Sequence, residues 1–183
     1  MSSVDLRELP TCTRCALAAT RQRVVVGSGP TNARLVVVGE APGRHEDEGG
    51  EPFIGRSGQL LVRLIDEELE LGREAYFITN TVKCRPPQNR PPRREEIATC
   101  RLWLDEQLRV AANAVVLAVG NVAGRAVFGY AGPLASARGQ LLTSARLRGI
   151  VTYHPAAALR GGSSVVAMMR EDLRVLRPLV VGS

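Results

Sequence analysis

"VVVGEAPGRHEDEGGEPFIG", residues 36–55, begins as an unbroken β-branched run and then breaks into glycine, proline and five carboxylates around Phe53. A continuous apolar run needs cover on both faces, which is the situation of a strand inside a parallel sheet. Comparable runs recur at Leu35 to Val38, Tyr76 to Thr79, Val115 to Val119 and Ile150 to Tyr153. Between them the apolar residues fall at helical spacing. Leu60, Leu61, Leu64, Ile65 and Leu69 share one face after Ser57, and Ile97, Cys100, Leu104 and Leu108 share another. Further helices are expected from near Asn121 and from Ser164 to Leu176. Strands alternating with helices imply parallel pairing, so the expected fold is a three-layer α/β/α sandwich with a central, mainly parallel four-stranded sheet.

With 183 residues, 45% of them hydrophobic, the chain suffices for one substantial core, read as a single domain over 1–183. No run approaches a membrane span, and the opening MSSVDLRELP lacks the charged and apolar regions of a signal peptide, so the expected compartment is the cytoplasm. Formal net charge is +6, and Lys83 is the only lysine. A surface basic through arginine suits a polyanionic partner, because guanidinium grips phosphate in a bidentate fashion. Arg85, Arg90, Arg93 and Arg94 sit on "CRPPQNRPPRR", residues 84–94, where four prolines forbid a helix and stiffen the backbone. "GSG" at 27–29 precedes its strand instead of following it, and no G-x-G-x-x-G is present, which argues against dinucleotide binding.

Cys12 and Cys15 form a C-x2-C pair, with Cys84 and Cys100 far downstream. In a reducing compartment this pattern points to a metal or cluster site, and spacing leaves zinc and iron–sulfur both open.

The polar residues that follow the strands are more informative. Gly39 and Glu40 follow the first, Asn80 the second and His154 the last. The carboxyl ends of parallel strands share one edge, where the crevice of an open sheet binds ligands. An acid, an amide and an imidazole should therefore converge. "GEAPG" brackets its turn with glycines, which lets backbone amides approach a ligand. Asn80 offers one donor and one acceptor, the pairing needed to read a pyrimidine edge such as O4 and N3–H of uracil, or else to cap a helix or turn. Phe53, in a chain only 4% aromatic, suits stacking on a planar ring. Pro155 holds His154 in extended backbone at its strand end. Glu46, Asp47, Glu48 and Glu51 read mainly as a solvated loop, and His45 as a surface residue.

Taken together, "CTRC", "VVVGEAPGRHEDEGGEPFIGRSGQLL", "YFITNTVKCRPPQNRPPRREEIATC", "AVVLAVG" and "VTYHPAAALR" resemble, in order and over nearly the whole chain, the family 4 (iron–sulfur) uracil-DNA glycosylases. The resemblance implies a [4Fe-4S] cluster on Cys12, Cys15, Cys84 and Cys100 that ties down the N-terminal segment. It implies uracil contacts from Gly39, Glu40, Ala41, Phe53, Asn80 and His154, with Glu40 or Glu46 as the carboxylate that positions water. DNA contacts would come from Arg85, Arg90, Arg93 and Arg94, and from Leu159 or Arg160 as the wedge, since Ala156, Ala157 and Ala158 are small where the family often has bulky residues. Ala41 stands where better-known glycosylases of the superfamily carry an aspartate. No basic loop is inserted between Asn80 and Cys84, which favours hydrolytic turnover over covalent trapping of uracil. The implied protein is a monomer acting on uracil-containing single- or double-stranded DNA, with a replication or repair clamp as a further candidate partner. A cluster-bearing DNA-binding module without chemistry is the competing class.

Overall fold

The computed structural model describes residues 4–144 and 147–181, so the expected domain limits at 1 and 183, and the first three residues of the opening stretch, lie outside it. Five strands form one sheet: β1 (Leu35–Gly39), β2 (Phe77–Asn80), β3 (Val115–Val119), β4 (Leu142–Ser144) and β5 (Leu147–Thr152), in the order β2-β1-β3-β5-β4. β1, β2, β3 and β5 pair in parallel, and the short edge strand β4 runs antiparallel to β5. The expected sheet of four strands is therefore corrected to five. β4 has only three residues, none buried, and carries no apolar run that would announce a strand.

The helices are α1 (Arg44–Gly49), α2 (Arg56–Leu69), α3 (Arg94–Val110), α4 (Asn121–Phe128), α5 (Leu134–Ala137), α6 (Pro155–Gly161) and α7 (Ser163–Val180). The alternation of side chains along each strand divides the core. Leu35, Val37, Leu117 and Ile150 meet Leu61, Leu64 and Ile65 of α2 and Leu173 and Leu176 of α7. Val36, Val38, Val116 and Val151 meet Leu104 and Leu108 of α3 and Val127 of α4. Every residue of β1, β2 and β3 is buried, as cover on both sides requires. A third cluster sets Leu9 and Leu17, each on a short 3-10 turn, against Val82, Cys84, Cys100 and Trp103.

The acidic segment expected as a loop is helical, and so is the stretch after His154. The acidic stretch after β1 is α1, and Glu46 and Asp47 are buried because their oxygens receive backbone N–H groups. Asp47 Oδ1 accepts from Gln22 N at 2.9 Å and Arg23 N at 3.3 Å, which straps the N-terminal segment to the β1 side of the molecule. The segment after His154 is α6, with Pro155 in its first turn, where the missing N–H has no partner to lose.

Asp47→Ala should leave those two N–H groups unpaired and cost about 1–3 kcal/mol. Urea unfolding should report the loss, and limited proteolysis should cut first in the segment before Val24. An unchanged midpoint would remove this strap from the account.

Candidate active site

The register of the sheet builds the site. Gly39 pairs with Asn80 and Val119 pairs with Thr152, so the strand ends come level at one rim. A cavity of about 650 Å³ opens there. Its lining includes Glu40, Ala41, Pro42, Gly43 and Glu46, the buried Phe53 and Asn80, His154, Ala156 and Arg160, and Pro86, Asn89, Arg90 and Pro91 of the proline-rich segment.

Phe53 and Asn80 are 8% and 2% exposed, and both press on Gly39. A Cβ at Gly39 would stand 2.4 Å from Phe53 Cζ and 2.4 Å from Asn80 Oδ1. Only hydrogen fits there, so Gly39 is a spacer behind the slot and does not itself line the cavity. Phe53 has φ of 62°, a left-handed conformation that costs a bulky residue free energy and persists only where its surroundings impose it. Gly58 of α2 helps impose it: a Cβ there would lie 2.2 Å from the Phe53 carbonyl oxygen. The Asn80 side-chain amide has no hydrogen-bond partner among the described residues, which leaves both its ends for a ligand.

The two candidate carboxylates separate. Glu46 Oε2 accepts from Gly43 N at 3.0 Å and Oε1 from Gly55 N at 2.8 Å, so Glu46 staples α1 to the start of α2. Glu40 has no side-chain partner among the described residues, and burial raises its carboxyl above the ordinary carboxylate range. Both carboxylates line the cavity, and of the two only Glu40 keeps its oxygens without a partner among the described residues.

His154 Nδ1 accepts the Ala156 N–H at 3.2 Å. An amide can only donate, so Nδ1 carries the lone pair and Nε2 carries the proton. Burial, then the Arg160 charge, lowers the imidazole to about 4, with Glu46 opposing. At neutral pH His154 is an uncharged N–H donor at the cavity. Gly120, just past β3, backs it, since a Cβ there would sit 3.2 Å from His154 Cβ. Gly120 is not among the residues singled out with Gly39, although both are glycines at the carboxyl end of a buried strand.

The arginines divide as well. Arg90 makes two bonds to buried Glu96, at 2.8 and 2.6 Å, and so fixes the start of α3. Arg85 donates to Asn89 Oδ1 at 2.7 Å, and Arg93 lies 3.9 Å from Glu95. Arg94 and Arg160 have no ion-pair partner among the described residues, and Leu159 is 51% exposed beside Arg160.

The four cysteines, none in a disulfide, line a second cavity together with Leu9, Arg21, Lys83 and Trp103. Arg21 Nη1 donates to Cys84 Sγ at 3.4 Å and Trp103 Nε1 to Cys12 Sγ at 3.3 Å. Burial pushes the Cys84 thiol to about 12 and raises Cys100 too, so these thiols lose their protons only to a bound cation. Among the described residues no group of three or more His, Cys, Asp or Glu is placed to hold a single metal ion. Four thiols around one cavity, with N–H donors at two of their sulfurs, fit a sulfur-ligated cofactor.

A family profile described as the Uracil DNA glycosylase superfamily matches residues 26–177. The chain belongs to this superfamily. It is 36% identical to a type-4 uracil-DNA glycosylase of Sulfurisphaera tokodaii over 95% of this chain and 82% of that one. A type-4 enzyme of Thermotoga maritima is 40% identical over 92% of this chain and 89% of its own. A type-5 enzyme of Pyrobaculum aerophilum is 32% identical over 80% and 72%. The strand-end glycines, Asn80 and His154 all lie within the span that carries the family match.

The His154 reading has a spectroscopic test. Its ¹⁵N shifts should report the Nε2–H tautomer at pH 7 and protonation only near pH 4. Because the folded value lies below the unfolded one, the folded state binds fewer protons between the two. Stability should therefore fall as pH drops from about 6.5 towards 4, and His154→Gln should flatten that slope. An imidazole that titrates above 6 would overturn the assignment.

Proposed function

We propose that this chain is a monofunctional uracil-DNA glycosylase that flips uracil out of DNA and hydrolyses its N-glycosidic bond in base excision repair. The observation that carries the reading is the convergence of Phe53, Asn80, Glu40 and His154 on one cavity at the carboxyl edge of the sheet. The slot is bounded for a flat ring: Phe53 supplies the stacking face, and Asn80 the donor and acceptor for the uracil edge. Extrusion costs least where pairing is already weak, as in a U:G mispair.

When the N1–C1′ bond breaks, its electron pair moves onto uracil and charge grows on O2. The Nε2–H of neutral His154 donates to that oxygen without having to give up its proton, and backbone around Ala41 adds to the polar wall. The sugar becomes oxocarbenium-like, and the Glu40 carboxylate opposes its charge. Water then adds to C1′ and passes its proton to Glu40, whose raised pKa suits a proton acceptor. The products are free uracil and an abasic site. Arg94 and Arg160 are free to meet phosphates, and exposed Leu159 is placed to occupy the vacated stack. Arg85, Arg90 and Arg93 act mainly by shaping the proline-rich rim.

Cys12, Cys15, Cys84 and Cys100 would hold a [4Fe-4S] cluster. Bound there, the cluster supplies a cross-link between the N-terminal segment, the loop after β2 and α3. The protein acts as a single domain and a monomer in the cytoplasm; among the described residues no helix is long and apolar enough to cross a membrane.

Incubation with uracil-containing oligonucleotide should release free uracil and leave an alkali-labile strand. Glu40→Gln should lower single-turnover excision by about 100-fold or more with DNA affinity retained, whereas Glu46→Gln should chiefly destabilise the fold. Gly39→Ala should abolish excision by pushing Phe53 and Asn80 apart. An intact strand with well-folded wild-type protein would mean that the chain binds DNA without chemistry. Separately, Cys84→Ser should bleach the visible absorbance and lower the melting temperature, and unchanged colour would sink the ligand set.

A further inference from the structure

Lys83 is the only lysine among 24 Lys and Arg residues, and it is buried to 1% exposure. A buried ammonium is tolerated only when its donors are matched, and here three acceptors meet it. Nζ donates to Thr79 Oγ1 at 2.9 Å, to Gln107 Oε1 at 2.7 Å and to the Asn80 carbonyl. Gln107 of α3 is fixed in turn by donating to the Val26 carbonyl. Lys83 also reaches the other way: it lines the four-cysteine cavity, and its carbonyl accepts from Val25 N at 2.8 Å. Cys84 is its neighbour in the chain. One residue therefore touches both the four-cysteine site and the residue that presents its amide to the cavity.

Lysine suits the place for a geometric reason. Its stem folds back over one turn, so Nζ can bond the residues three and four positions earlier and still present a third proton to α3. A guanidinium is planar and larger and would not enter the same space, which fits the lone use of lysine in a chain otherwise served by arginine.

We infer that Lys83 is a positioning residue for Asn80, transmitting the order of the four-cysteine site to the base-reading amide. The inference rests on the glycosylase reading given above. Without the Nζ bonds, the end of β2 keeps only the Thr79 Oγ1 to Gln107 Oε1 bond to α3, and Asn80 drifts relative to Phe53 while the DNA-facing surface stays as it was.

The test compares Lys83→Met, Gln107→Leu and the remote core truncation Leu176→Ala with wild type, all with cofactor content measured by iron analysis. Calorimetric affinity for free uracil should fall about tenfold in Lys83→Met and a few-fold in Gln107→Leu, with single-turnover excision falling in step and affinity for undamaged DNA unchanged. Leu176→Ala should lower the melting temperature and leave uracil affinity intact. Should Lys83→Met fail to fold, Gln107→Leu decides alone. The inference is overturned if the folded, iron-loaded variants bind uracil as wild type does, or if Leu176→Ala loses uracil affinity equally. Wild-type protein that releases no uracil would instead condemn the underlying reading, so the two failures are distinguishable.

Discussion

Parallel pairing of β1, β2, β3 and β5 is the constraint from which the site follows. Because the strands are buried on both faces, they have no surface to offer except their ends, and the register brings those ends level. Gly39, Asn80, Gly120 and His154 then become neighbours although tens of residues separate them in the chain. Two of the four are glycines, and each is there because another side chain occupies the space a Cβ would need. The rim is thus built by leaving atoms out as much as by placing them.

Burial at this rim also sets the chemistry. Glu40 and His154 are moved in opposite senses by the same physical cause, since desolvation disfavours whichever form is charged. The acid is held closer to neutrality and the imidazole is kept neutral. A cavity that holds a proton acceptor and an uncharged donor at one pH has the two kinds of group that a leaving anion and an attacking water require.

Much of this was legible in the sequence, and the exceptions have physical reasons. The apolar runs located four strands to within a few residues, because burial on two faces leaves no ambiguity of face. β4 escaped because three half-exposed residues at an edge carry no pattern. The acidic stretch looked like a solvated loop because composition cannot reveal where a carboxylate points; Glu46 and Asp47 turn inward to backbone N–H groups supplied by residues up to 25 positions away in sequence. The arginines of residues 84–94 were legible as a basic segment, but their division into rim builders and free cations depends on Glu96 and Asn89, whose contacts only the fold reveals. The identity of Asn80 and His154 as rim residues, in contrast, needed nothing beyond their position after a strand.

Phe53 has a further consequence. Its backbone is already confined by Gly58 and its ring by Gly39, so little rotational freedom remains to be surrendered when a planar ring settles on it. The entropic burden of association then falls on the partner, whose own stacking and pairing must give way first. A rigid receptor of this sort selects by the looseness of what it meets.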